Sequence, residues 1–162
     1  MEFKDGQICQ IAQVVSNLEM TMKHLYEDFG IGPWDVYEYG PNNVRESMYR
    51  GKPNTQRYAL AVTWQGNLQY ELMQPLDGYS IYNEFIEKHG EGFQHIKLYY
   101  KDCAKALEQY KKKGYEVIQS GRIGDDEFYY LESIDKIGVT LELGNAGSIP
   151  PPLYKYPSSS GS

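Results

Sequence analysis

The stretches QIAQVV, Gln10 to Val15, and HIKLYY, His95 to Tyr100, decide how this chain is read. Each is a short run of strand formers opened by a side chain able to donate an electron pair to hydrogen or metal, and each is succeeded by a helical pattern. Working outward from the first, Cys9 to Val15 reads as a strand, with Ser16 and Glu19 as a capping box for the next element. Leu18, Met22, Leu25, Tyr26 and Phe29 recur at helical spacing until Gly30 and Gly32-Pro33 stop the helix. Trp34 to Tyr39 reads as a second strand and Gly40 to Pro53 as a polar excursion. Arg57 to Trp64 with Leu68 to Gln74 forms a hairpin around Gln65-Gly66-Asn67.

The second stretch opens the same series. Gln94 to Lys101 is a strand, Asp102 caps a helix with Cys103, Ala106, Leu107 and Tyr110 on its apolar face, and Gly114 ends it after three lysines. Tyr115 to Gln119 resumes a strand. Phe128 to Ser133 and Ile137 to Leu143 make a hairpin with Asp135-Lys136 in its turn. Ser80 to His89 is a connecting helix. Both halves thus read strand, helix, strand, strand, strand. A module of about 50 to 65 residues needs a partner to cover its sheet, and the other module supplies one. The expectation is an α+β fold of paired βαβββ modules, about 8–75 and 94–145, in a single domain 1–146, with a Pro/Ser-rich tail at 147–162. The end of that tail should be mobile, with Tyr154 and Tyr156 anchoring the stretch before it.

Composition bounds the partners. A net charge of −6 gives no steering toward phosphate backbones, and no run approaches the length of a membrane span. No nucleic acid and no membrane partner is expected, and the default location is cytoplasmic. Cys9 and Cys103 form no CxxC and read as buried reduced thiols.

Strand period supplies the candidate site. In Leu68 to Met73, Gln69, Glu71 and Met73 share the face opposite Leu68, Tyr70 and Leu72; Gln69 could replace Glu71 if the register differs. In the last strand Thr140 and Glu142 lie opposite Ile137, Val139, Leu141 and Leu143. His95 and Lys97 lie opposite Ile96 and Leu98, and Gln10 takes the corresponding place in the first strand. If the sheets curve around one cleft, Gln10, Glu71, His95 and Glu142 converge. Two carboxylates, an imidazole and an amide oxygen suit one divalent ion such as Mn²⁺, Fe²⁺, Co²⁺, Ni²⁺ or Zn²⁺. Taken singly, these residues are a polar strand face, a solubilising carboxylate or a glutamine bonded to backbone.

The segments QIAQVVSNLEMTMKHLY, LQYELMQPL, EKHGEGFQHIKLYYKD and GVTLELG make residues 8 to 145 resemble the vicinal-oxygen-chelate (glyoxalase/bleomycin resistance-like) superfamily. SIYNEFIEKHGEGFQHI is most similar to the methylmalonyl-CoA epimerase branch. The resemblance implies a cupped mixed sheet around one divalent metal ion, with Gln10, Glu71, His95 and Glu142 in the four metal positions. Epimerase-branch members often have histidine where this chain has Gln10, and a Gln, Glu, His, Glu set looks like that of some lactoylglutathione lyases. The implied activity is proton transfer beside a carbonyl, as an isomerase or epimerase acting on an acyl thioester such as methylmalonyl-CoA. The alternatives are a glyoxalase-type lyase and a non-enzymatic small-molecule-binding module. Glu142 is the candidate acid/base, Glu46 the second, and a homodimer is the implied assembly.

The remaining signals are weaker. Tyr49, Tyr58, Tyr70, Tyr99, Tyr100, Tyr129 and Tyr130 could line a pocket, although core or interface packing serves them equally. Arg45, Arg50, Arg57 and Arg122 could neutralise an acidic ligand. Arg45 to Lys52 could form a phosphate rim, against which ordinary loop solubility is the stronger reading.

Overall fold

The computed structural model describes residues 2–159. The first module runs β1 (Ile8–Val14), α1 (Leu18–Phe29), β2 (Trp34–Tyr39), β3 (Arg45–Tyr49), β4 (Lys52–Pro53), β5 (Tyr58–Gln65) and β6 (Leu68–Pro75). After α2 (Ile81–His89), the second runs β7 (Gly92–Tyr99), α3 (Cys103–Lys112), β8 (Val117–Ile123), β9 (Asp126–Leu131), α4 (Ile134–Ile137) and β10 (Thr140–Gly144), and the chain ends in β11 (Tyr154–Tyr156).

Local chemistry sets the boundaries. The cap of α1 is Asn17, not Ser16: its side chain accepts the Met20 N–H at 3.0 Å, while the Ser16 N–H donates to Glu91. Ser80 caps α2 with Asn83 returning to the Ser80 N–H, and Asp102 caps α3 as expected. The excursion after β2 is not all loop. It holds the β3–β4 hairpin, turned by Arg50 (φ 46) and Gly51 (φ 81), the double positive φ of a tight two-residue turn.

The expected hairpin from Phe128 to Leu143 is also corrected. Its second strand begins at Thr140, and Ile137 lies in α4 with half its surface exposed. The cause is Ser133, whose hydroxyl donates to the Val139 carbonyl at 2.9 Å and accepts the Leu141 N–H at 2.8 Å, winding the residues between into one turn.

All strands join one sheet, in the order β11-β2-β5-β6-β1-β7-β10-β9-β8-β3-β4. β1 and β7 meet antiparallel at the centre, and each is flanked by the parallel last strand of its own module, β6 and β10. The modules are therefore related outward from that junction. The β3–β4 hairpin departs from this scheme: it leaves the first module after residues 40–44 and pairs with β8 of the second.

Alternation sorts the side chains into two faces. Leu72, Trp34, Val36 and Ala61 pack beneath α1 with its Leu18 and Met22, and Leu131 and Leu143 pack beneath α3 with its Ala106. The other face carries a third cluster drawn from both modules, including Tyr39, Tyr58, Met73, Tyr82, Phe128 and Tyr130. Burying these faces supplies the main driving force for folding. β11 pairs with β2 and Tyr156 packs edge-on against Tyr26, so the tail is anchored where its tyrosines suggested. The end of the tail, 160–162, lies outside the described residues. Cys9 and Cys103 are free and buried, and among the described residues no helix is long and apolar enough to cross a membrane.

Candidate active site

The inner face brings three of the four expected side chains into contact. His95 comes from β7, Glu71 from β6 and Glu142 from β10, with His95 Nε2 lying 3.1 Å from Glu142 Oε2 and 3.4 Å from Glu71 Oε2. Register explains the convergence: Ala12 of β1 pairs with Glu71 on one side and His95 on the other, and its small side chain lets the two approach across it. Gln10, one inner-face step along β1, pairs with Gln69 and Lys97, and its Nε2 donates to Gln69 Oε1 at 2.6 Å. All four side chains are buried.

Their hydrogen bonding is incomplete. Gln10 Oε1, His95 Nε2 and Glu142 Oε2 are buried without a hydrogen-bond partner among the described residues. The His95–Glu142 pair is close enough for an ion pair yet not aligned for a hydrogen bond. His95 Nδ1 lies 2.9 Å from Gln94 Oε1, which only accepts, so Nδ1 carries the proton and Nε2 presents a lone pair or a second proton to the carboxylates. No group of three His, Cys, Asp or Glu side chains among the described residues has the spacing of a ready-made metal cage.

Electrostatics separate the two glutamates. Burial pushes both upward, but Lys97, then His95, outweighs it at Glu142 and holds that carboxyl below its usual range. At Glu71 burial wins, and the carboxyl is raised despite His95. Burial disfavours the His95 imidazolium, yet Glu142 and Glu71 reverse the effect and push the ring up to about 9.

Lys97 and Asp126 belong to the site without having been expected there. Strand period puts Lys97 on the His95 face but assigns it no role; it is buried, with Nζ 3.8 Å from Glu142 Oε1 and 3.9 Å from Asp126 Oδ1. Asp126 sits at the start of β9, where strand periodicity gives no sign that the chain turns inward. Burial raises its carboxyl more than Lys97 lowers it, consistent with so loose a pair.

Above this centre lies a cavity of about 420 Å³, walled by Tyr37, Tyr39, Tyr58, Tyr82, Tyr130 and Phe128. Of the seven tyrosines singled out in the sequence, only Tyr58 and Tyr130 line it; Tyr70 faces α1, and Tyr100 and Tyr129 pack with the α3 cluster. Ala146 to Ile149 also line it, tied to the β8–β9 turn by the Asp125 N–H on the Ser148 carbonyl at 2.8 Å.

Glu46 is not brought to the site. It is exposed on the outer hairpin at φ 52, with a carboxylate oxygen 2.6 Å from Arg122 Nε. A sequence reading places it after β2 but cannot show that the chain there crosses to β8. The arginines are likewise engaged: Arg50 with Glu84 and Glu132, Arg57 with Glu38 and Asp77, Arg122 with Glu46 and Glu127, and Arg45 on the Gly124 carbonyl. Arg45 to Lys52 forms the edge hairpin, not a rim over the cavity.

Paired βαβββ modules with a polar centre on their shared sheet define the glyoxalase-type class of α+β protein. Residues 9–130 match the model of the Glyoxalase/Bleomycin resistance protein/Dioxygenase superfamily, and the chain belongs to that superfamily. No curated protein matches it. Among solved structures it is similar to the Streptomyces coelicolor methylmalonyl-CoA epimerase in complex with 2-nitronate-propionyl-CoA, at 20% identity and a TM-score of 0.67, covering 90% of this chain and 100% of that one. A hypothetical protein from Bacillus halodurans is similar at 18% identity and TM-score 0.69, over 91% of this chain and 99% of that one. The Mycobacterium tuberculosis methylmalonyl-CoA epimerase is similar at 20% and 0.62, over 88% and 89%. At these identities the likeness is one of fold.

Proposed function

We propose that this chain is a metal-dependent isomerase or epimerase that moves a proton at the carbon beside a carbonyl, on an acyl thioester of the methylmalonyl-CoA kind. The observation that carries the reading is the buried meeting of His95 Nε2 with the carboxylate oxygens of Glu142 and Glu71, on a face where Gln10 Oε1 is also buried without a hydrogen-bond partner among the described residues. Buried polar atoms are ordinarily satisfied, so such a group asks for a cation. The donor chemistry fits one divalent ion held by Gln10, Glu71, His95 and Glu142, with Gln94 orienting the imidazole.

A cupped sheet is part of the proposal. Residues 40–44 connect β2 to β3, eight places away in the strand order. The chain between them spans roughly 22 Å at most, whereas eight flat strand spacings come to roughly 38 Å. Curvature reconciles the two and puts the cavity inside one domain.

When bound, the ion supplies Lewis-acid stabilisation of negative charge developing on the substrate carbonyl oxygen. Glu142, held ionised beside Lys97, is the group that takes the proton. Glu71, from the other module and facing Glu142 across His95, replaces Glu46 as the group that returns one. The tyrosine walls exclude water from the carbanion-like species. A homodimer, expected from the superfamily resemblance, belongs to the same reading and is checked by sedimentation equilibrium.

A glyoxalase-type isomerisation of a hemithioacetal is the second reading, favoured by two glutamates rather than one flanking His95. The test uses chelator-treated protein reloaded with Mn²⁺, Co²⁺, Ni²⁺ or Zn²⁺. Metal content is measured first, then deuterium exchange into a methylmalonyl thioester and lactoyl thioester formation. One ion per chain and α-exchange are expected, with exchange falling by about 10²–10⁴-fold in Glu142→Gln. Lactoyl thioester formation without α-exchange selects the second reading. Absence of stoichiometric metal in wild type, at the level seen in His95→Ala, overturns both and leaves a binding module.

A further inference from the structure

Among the described residues that line the cavity, Lys97 is the one lysine or arginine. β7 carries it two residues after His95, and its side chain is 11% exposed, more than either glutamate of the centre. Its Nζ lies 3.8 Å from Glu142 Oε1 and 3.9 Å from Asp126 Oδ1, both beyond hydrogen-bond reach. An ammonium carries three N–H donors and accepts nothing, so a lysine flanked this loosely has donors to offer an acceptor in the cavity.

β10 makes room for it. A Cβ at Gly144 would overlap Lys97 Cε and lie 2.8 Å from Nζ, although the backbone there is not left-handed. The bare position at 144 is what lets the ammonium lie beside Glu142, two residues earlier on the same strand face.

That placement limits what Lys97 can hold. A carbon losing its proton to Glu142 sits about 3–3.5 Å from the carboxylate, and Nζ is 3.8 Å from one oxygen of the same carboxylate. The ammonium therefore reaches groups attached to the reacting carbon itself. The thioester carbonyl is engaged elsewhere in the proposed reaction, which leaves the carbon's other substituent. A cation in a largely buried site is best met by a charged acceptor. Even with Glu71, Glu142 and Asp126 all ionised, Lys97 and one divalent ion balance them when His95 is neutral, so an incoming carboxylate meets no net negative charge.

We propose that Lys97 is a specificity residue that receives a free carboxylate on the reacting carbon, so that the chain selects 2-carboxyacyl thioesters over uncharged ones. The proposal rests on the proton-transfer reading for the placing of Glu142 against the substrate, and its test separates the two.

The test compares the N-acetylcysteamine thioester of methylmalonate with its neutral isostere, the 2-carbamoylpropanoyl thioester. Binding is measured by calorimetry on the metal-reloaded full chain, and α-deuterium exchange by NMR. Wild type should bind the carboxylate about tenfold or more tightly, as a charge-assisted hydrogen bond in a buried site provides. Lys97→Met, which keeps the length but not the charge, should bind the two alike. Equal binding by wild type overturns the proposal with no variant needed. A preference that survives in folded Lys97→Met places the carboxylate on another group and overturns it too. Preference without exchange upholds Lys97 and sinks the reaction, whereas exchange in both thioesters without preference does the reverse.

Discussion

At the scale of the residue, His95 is the hinge of the site because its ring must reconcile burial with two carboxylates. In metal-free protein the imidazole is pushed up to about 9, against about 6.5 in an unfolded chain. A raised pKa means that the proton stabilises the fold fully below about pH 6.5, and that this stabilisation is lost as pH rises toward 9. Chelator-treated protein should therefore show a falling melting temperature between pH 6.5 and 9, a fall absent from His95→Gln over the same window. A wild-type melting temperature flat across that range contradicts the assignment. The pairing of His95 with Glu142 was legible in the sequence, since both follow from strand period and matching places in two modules. Lys97 and Asp126 were not legible as partners, because their meeting depends on the register of β7 against β10 and on the inward turn after Asp125.

Among the elements, the end of the second module shows how one hydroxyl redirects a hairpin. Ser133 is buried and holds both the Val139 carbonyl and the Leu141 N–H. Ser133→Ala leaves these backbone groups unpaired and should cost about 1–3 kcal/mol, read by urea unfolding. Ala at the exposed Gln109 of α3 should change stability by less than about 0.5 kcal/mol, which serves as the control. The strand pattern of Ile137 to Leu143 was misleading for the same reason: apolar alternation does not report a side chain that bonds backbone six and eight residues on. The β3–β4 hairpin was hidden differently. Its Arg50-Gly51 turn sits in a polar stretch, and its partner strand lies in the other module.

For the whole molecule, that hairpin makes the modules interdependent. β3 of the first module pairs with β8 of the second, β1 pairs with β7, and the inner aromatic cluster draws on both modules. Unfolding should then be a single transition. Trp34 and Trp64 both lie in the first module, so their fluorescence and the far-ultraviolet circular dichroism of the entire chain should give one coincident urea midpoint. Two separated midpoints would show that the modules unfold independently.

The amino-acid pattern alone determined the repeated modules, the faces of their strands and the four polar residues that share the inner side, because side-chain direction follows the two-residue period of a strand. Tertiary structure alone decided which tyrosines wall the cavity, that Glu46 stands outside it, and that Lys97 and Asp126 flank Glu142. Those outcomes depend on pairings between distant strands and on a chain crossing from one module to the other, contacts that no local period encodes.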